Sequence, residues 1–170
     1  NLAENYLPSV PYFLSELSKL ESLQLGSNEI FCIPPYISKL EKLHTLILDN
    51  NKIQYVSEEI GNLKELSLLD LSSNNIHELP NSLSRAKNLS ILLLDNNYIW
   101  KLHDSIRENE NLKTISFIGN KRKIELPFSM IWLENLYLDF SENQIFCIPP
   151  KLTEDGLVYP FLSNHKEPKF

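Results

Sequence analysis

Seven asparagines recur at a fixed interval of 23 residues, and this spacing constrains the fold more than any other feature of the chain. They are Asn5, Asn28, Asn51, Asn74, Asn97, Asn120 and Asn143. A fixed period of about 20 to 50 residues is typical of proteins built from stacked repeats. Where each repeat turns inward, backbone groups would be buried without partners. An amide both donates and accepts hydrogen bonds, so we predict that this asparagine ladder bonds the turns above and below it.

Each repeat also carries a regular pattern of apolar residues. Most repeats open with Leu-x-x-Leu-x-Leu, as in residues 43–48, and this alternation predicts a short strand with one buried face. Further along, apolar residues recur three apart, as in Ile37 and Leu40, which predicts a helical or 3-10 turn on the outer side. Leucine fills one outer column at Leu40 and Leu63, but Ala86 and Asn109 replace it later, so we expect looser packing there.

Length and charge exclude several classes of protein. The chain of 170 residues is the size of one domain. Its formal net charge of −6 argues against a general nucleic-acid binder, because no broad basic stripe is present to displace counterions. No apolar run reaches the roughly 18 residues that a membrane-spanning helix needs.

The two cysteines indicate a reducing compartment. Cys32 and Cys147 hold equivalent places five repeats apart, which corresponds to roughly 24 Å at the usual strand spacing. A disulfide requires Cα atoms within about 7 Å, so these two cannot pair with each other. Two free thiols favour an intracellular, cytoplasmic location.

The repeat resembles a known family. The string Leu-x-x-Leu-x-Leu-x-x-Asn-x-Ile, beginning at Leu43, resembles the 23-residue class of leucine-rich repeats over residues 2–152. It is similar to the repeats of Ras-binding scaffolds, scribble-type polarity scaffolds and plant Ras-group proteins. The resemblance implies an α/β fold, a curved solenoid with a parallel β-sheet on the concave face and short helical, 3-10 or extended segments on the convex face. It also implies a non-enzymatic scaffold that binds proteins such as a small GTPase or a phosphatase subunit.

The register of the ladder divides the chain. Residues 1–152 are predicted to form the solenoid of about seven repeats, the first one truncated, and residues 153–170 a C-terminal cap with a polar tail. One repeat departs from the pattern, because Arg122 occupies the expected isoleucine position and Ile124 follows late. One residue is inserted there and one is missing before Leu138, so residues 121–123 are predicted to bulge.

The candidate binding surface comes from the outward strand positions, since alternate residues of a strand face opposite sides. Exposed apolar residues with aromatic and acidic neighbours usually mark protein-binding surfaces. We call the predicted set the concave patch: Ile47, Asp49, Leu68, Asp70, Ile91, Leu93, Asp95, Tyr98 and Trp100. Trp100 is the strongest single candidate, because tryptophan is enriched at binding hot spots. The three aspartates are expected to select a partner segment with basic residues.

No pattern in the sequence indicates catalysis, a cofactor or a metal. The histidines and cysteines lack metal-ligand spacing, and no glycine-rich phosphate loop occurs. Two other interpretations remain open beside the scaffold. The chain could be the recognition segment of a larger enzyme, as in carbon catabolite repressor-type deadenylases, or a structural component of a large assembly.

Overall fold

The computed structural model describes residues 1–133 and 136–147, so the predicted cap and tail lie outside the described residues. Within them, short strands alternate with 3-10 helices of five residues. The strands are β1 (Ser22–Gln24), β2 (Cys32–Ile33), β3 (Thr45–Ile47), β4 (Tyr55–Val56), β5 (Leu68–Asp70), β6 (Ile91–Leu93), β7 (Thr114–Ser116), β8 (Lys123–Glu125), β9 (Tyr137–Asp139) and β10 (Gln144–Cys147). The helices are η1 (Tyr12–Glu16), η2 (Pro35–Lys39), η3 (Glu58–Asn62), η4 (Asn81–Arg85), η5 (Asp104–Glu108) and η6 (Phe128–Trp132).

One six-stranded parallel sheet forms the concave side, in the order β1-β3-β5-β6-β7-β9. Each residue pairs with the residue one full repeat later, from Ser22 with Thr45 at one edge to Ser116 with Asp139 at the other. This register keeps equivalent leucines in line, so that Leu46, Leu69 and Leu92 stack and are fully buried. Burial of each such side chain stabilises the fold by about 1.5–3 kcal/mol. The predicted parallel sheet is confirmed.

The convex side consists of the six 3-10 helices of the described residues. Prolines directly precede four of them and have extended backbones there, because proline suits the residue before a helix better than its interior. The helices η1 to η5 begin at intervals of 23 residues, whereas η6 begins 24 residues after η5. The predicted inserted residue is therefore confirmed.

The asparagine ladder forms the bonds that its repeat position predicts. Asn74 Oδ1 accepts from the Ile53 N–H of the preceding repeat at 2.9 Å. Its Nδ2 donates to the carbonyls of Leu48, Leu71 and Ser72 at 2.9, 3.0 and 3.1 Å. Asn51 and Asn97 repeat this pattern with their own neighbours.

The residue before each ladder asparagine adopts left-handed backbone. Positive φ angles between 51° and 66° occur at Glu4, Ser27, Asn50, Ser73, Asn96, Gly119 and Glu142. Such a backbone costs a residue other than glycine roughly 1–3 kcal/mol, so the surrounding bonds must hold it in place. Only Gly119 is free of this cost. Because the surrounding bonds rather than the residue type hold this backbone, the residue types at these positions show no repeating pattern.

The disturbed repeat lies where the register predicted. Elsewhere the N–H two residues after a ladder asparagine donates to the next asparagine, as Ile53 does to Asn74. In the disturbed repeat Asn143 Oδ1 instead accepts from the N–H of Asn120 itself, at 2.6 Å. Ile124 is fully buried and fills the isoleucine place, and β8 pairs with β10 through a register shift.

Ala86 and Asn109 occupy the outer column, and the expected looser packing there stays a prediction, because within the described residues the buried Asn109 Oδ1 has no hydrogen-bond partner. Both residues are fully buried. Asn109 Nδ2 donates to the carbonyls of Leu83 and Ala86 at 3.2 and 2.9 Å, at the end of η4. Hydrogen bonds to helix-end carbonyls thus replace the apolar packing of a leucine, and the small alanine leaves room for the amide.

Candidate functional site

The sheet register brings most of the concave patch together. Leu68 lies directly beside Ile91, and Asp70 lies between Ile47 on one side and Leu93 on the other. All five side chains are half-buried, because neighbouring strands pack side by side. The patch is therefore an apolar surface interrupted by a carboxylate, rather than a continuous apolar stripe.

Hydrogen bonds hold two aspartates of the concave patch, Asp70 and Asp95, in place. Asp95 Oδ1 accepts from Ser116 Oγ at 2.6 Å and from the N–H of Ile118 at 2.8 Å. Asp70 Oδ1 accepts from the N–H of Ser72 at 2.9 Å. Because these donors belong to fixed strand ends, the carboxylates are positioned before any partner arrives.

The aspartates also interact with one another. Partial burial raises the pKa of Asp49, and the nearby charge of Asp70 raises it further. Burial likewise raises the pKa of Asp95, against the lowering effect of its bonds from Ser116 and Ile118. The concave face therefore carries negative charge that costs free energy in the unbound protein and that a cationic partner would relieve.

Replacing Asp95 with asparagine is expected to raise the melting temperature at pH 7 and to leave it nearly unchanged at pH 3. Because the pKa of Asp95 is raised in the folded protein, protonated Asp95 stabilises the fold at pH values below its unfolded pKa of about 3.9. This stabilisation is lost as the pH rises through the pKa of Asp95 in the folded protein. Asparagine has no charge to desolvate and keeps an oxygen that accepts from Ser116. Thermal denaturation at both pH values measures the effect, with the exposed Glu110→Gln as control. A lower melting temperature for the Asp95 variant at pH 7 would contradict this account.

The two predicted aromatic residues lie past the strand ends, on the flank of the solenoid. The Tyr98 ring stacks on His77, with centroids 5.5 Å apart and 12° between the planes. Lys121 Nζ also lies over the Tyr98 ring, 4.8 Å from its centroid and 3.2 Å from its hydroxyl oxygen. Trp100 is 39% exposed and is the most open of the predicted apolar residues. Among the described residues, no ring contact or hydrogen bond joins these two aromatics to the apolar strand residues.

Four exposed tyrosines of the described residues were absent from the predicted set: Tyr6, Tyr12, Tyr55 and Tyr137. Tyr137 is 45% exposed and stands beside Thr114 in the concave column that contains Leu68 and Ile91, so alternation alone could have identified it. Tyr55 is 71% exposed on the flank. No spacing in the sequence distinguishes Tyr55, because its column otherwise holds unrelated residue types.

Two searches of the described residues gave negative results. Within residues 1–133 and 136–147, no group of three or more histidine, cysteine, aspartate or glutamate side chains could hold a metal ion. In the same part of the chain, no helix combines the length and apolar character needed to cross a membrane.

Comparisons with known proteins agree on the fold. A family model described as leucine rich repeat matches residues 41–99. A leucine-rich repeat protein of Leptospira interrogans is similar in structure, with a TM-score of 0.76, 28% identity, and coverage of 91% of this chain and 45% of that one. The fold is thus a leucine-rich repeat solenoid.

Two further solved structures are similar. One is the ectodomain of the membrane receptor kinase GASSHO1/SCHENGEN3 from Arabidopsis thaliana, in complex with CASPARIAN STRIP INTEGRITY FACTOR 2, with a TM-score of 0.66, 32% identity, and coverage of 81% of this chain and 17% of that one. The other is PEPR1–AtPEP1, with a TM-score of 0.73, 26% identity, and coverage of 81% and 20%. The chain therefore spans less than half the length of each of these structures. No curated protein gives a significant match.

Proposed function

We propose that this leucine-rich repeat solenoid is a non-enzymatic scaffold that binds a protein partner on its concave face. The observation that carries the proposal is the register, which sets Leu68 beside Ile91 and Asp70 beside Leu93 on one rigid sheet. Apolar side chains next to fixed carboxylates suit a partner segment that alternates apolar and basic residues. The similarity to a receptor ectodomain solved with a bound factor supports the same use of this fold.

The partner class follows from two features. The concave carboxylates favour a basic segment, and their fixed positions reduce the ordering cost of binding. The sequence resemblance to Ras-binding and scribble-type scaffolds adds a small GTPase or a phosphatase subunit as the first partners to test. The same resemblance, together with the two cysteines, supports an intracellular location.

The double variant Trp100→Ala with Leu93→Asp is expected to reduce partner recovery at least about tenfold, because loss of a single hot spot costs about 2 kcal/mol or more. The partner is identified by native co-purification with mass spectrometry, and its recovery is then compared by pull-down. The matched control is Phe13→Ala with Leu17→Asp, which makes the same types of change at exposed positions in and next to η1. Unchanged partner recovery with an intact fold would exclude the concave patch as the surface that binds the partner.

A second test separates binding from folding. Asp95→Asn should raise the melting temperature at neutral pH, as argued above, and yet weaken binding of a basic partner. A variant that is more stable and binds less cannot owe its binding loss to unfolding. Equal or tighter binding would contradict a role for the concave carboxylates.

The second candidate function is that of a recognition segment in a larger enzyme. It is supported by the structural similarity to the ectodomain of a membrane receptor kinase. Sequencing the full open reading frame distinguishes the scaffold from the recognition segment of an enzyme. A kinase, nuclease or ligase domain in the same protein would support the recognition segment.

A further inference from the structure

A groove opens on the flank of the solenoid, beside the aromatic end of the concave patch. It has a volume of about 560 Å³ and lies between two neighbouring repeats. Tyr55, Val56 and Glu58 line it from one repeat, and His77, Glu78 and Pro80 line it from the next. None of these residues belongs to the predicted concave set, although His77 stacks on Tyr98, which does.

The groove begins where a second, smaller sheet stops. On one side, β2 and β4 pair in parallel. The N–H of Gln54 donates to Phe31 O at 3.0 Å, and the N–H of Ser57 donates to Ile33 O at 3.2 Å. These bonds close the flank between that pair of repeats.

The equivalent bonds are absent on the other side of β4. Pro80 stands one repeat after Ser57 and has no N–H, so this bond cannot form. Within the described residues, the N–H groups of His77, Glu78 and Leu79 donate to no protein acceptor. This segment, which lines one wall of the groove, therefore carries backbone donors without a protein acceptor, as an unpaired strand edge does.

The walls of the groove combine an aromatic ring with negative charge. Tyr55 is 71% exposed, and Val56 and Pro80, which line the groove with it, are half-buried. Glu58 and Glu78 are both exposed, and the ion pairs of the described residues include neither of them. No lysine or arginine lines the groove. Glu58 Oε2 accepts only from the neutral Ser82 N–H, at 3.3 Å, and no donor to the Glu78 carboxylate is found within the described residues.

We propose that this groove binds an extended protein segment that carries an arginine side chain. The guanidinium would lie between Glu58 and Glu78 and against the Tyr55 ring, which attracts cations through its π-face. The carbonyls of the segment would accept from the free N–H groups of residues 77–79, as in recognition by strand addition. The occupant is thus a basic extended segment of a partner protein, and this site does not depend on binding at the concave face.

The test is a titration of the ¹⁵N-labelled chain with the peptide acetyl-Ala-Ala-Arg-Ala-Ala-amide, followed by NMR. We expect the amide signals of Tyr55, His77, Glu78 and Leu79 to shift in a saturable way. The peptide with citrulline in place of arginine is neutral but of similar shape, and should bind about fivefold more weakly, the factor expected for exposed ion pairs together with a cation–π contact.

Matched variants separate the groove from general attraction to an acidic protein. Glu58→Gln with Glu78→Gln should weaken binding about fivefold. Glu41→Gln with Glu110→Gln removes the same charge at exposed sites elsewhere and should leave binding unchanged. Shifts centred on the concave aspartates, equal binding of the citrulline peptide, or no shift at residues 77–79 would each overturn the proposal. None of these variants touches Leu93 or Trp100, so the outcome is independent of the concave-face test.

Discussion

Replacing Asn74 with alanine is expected to lower the free energy of unfolding by about 1–3 kcal/mol. The substitution leaves the Ile53 N–H without its acceptor in a buried turn, whereas the carbonyl of Leu48 loses one of two amide donors and keeps Asn51 Nδ2. Alanine offers no polar atom, and the site is only 4% exposed, so water does not readily replace the lost bonds.

Urea denaturation followed by circular dichroism measures this effect. Asn75→Ala is the control, because Asn75 is the next residue and its side chain makes no hydrogen bond within the described residues. We expect the midpoint of the Asn74 variant to fall clearly while that of the Asn75 variant stays near the parent. Coincident transitions for all three proteins would refute the ladder as a stabilising device.

Replacing Gly61 with alanine is expected to destabilise the protein by about 1–3 kcal/mol through overpacking. A Cβ at this position would lie 2.0 Å from the carbonyl oxygen of Ser82 and 2.7 Å from its carbonyl carbon. Both atoms are backbone at the start of η4, and Ser82 Oγ also donates to the Glu58 carbonyl of η3. The two helices would have to move apart to admit the methyl group.

Gly26→Ala provides the comparison for this second effect. A Cβ there would also meet an oxygen closely, 2.2 Å away, but that oxygen is Asp49 Oδ1 at the end of a rotatable side chain. The carboxylate can turn aside, so the cost should be distinctly smaller. Equal shifts of the urea midpoint for the two variants would show that close approach of η3 and η4 does not explain the glycine at position 61.

The asparagine interval and the alternating leucines were enough to predict the strands, their inward faces and the position of the inserted residue. Arg122 in an isoleucine column marked a disturbance, and the displaced bond from Asn120 to Asn143 lies in that repeat. These features depend on which residues can be buried at each position of one repeat. The spacing of apolar residues along the sequence predicts directly which positions are buried.

Other features depend on atoms that only stacking brings together. The left-handed backbone before each asparagine occurs at residues as different as Ser27 and Glu142, since the ladder bonds rather than the residue type hold it. Asn109 was expected to loosen the outer column, yet its amide bonds carbonyls of the preceding repeat. Local sequence does not reveal which carbonyls will be within reach of a side chain.

The sequence by itself thus determined the stacked repeats and the residues that face outward from them, because a strict period assigns every position to the core or the surface. The parallel sheet on the concave face was what the resemblance to leucine-rich repeats implied. Only the tertiary structure decided how those surfaces are divided. In the structure, Asp70 lies between Ile47 and Leu93, and the Tyr98 ring stacks on His77. A groove lies beside Tyr55, where no further strand of the described residues pairs with β4. The reason is physical: such contacts join residues about one repeat apart, and their distances follow from how the backbones of neighbouring repeats stack.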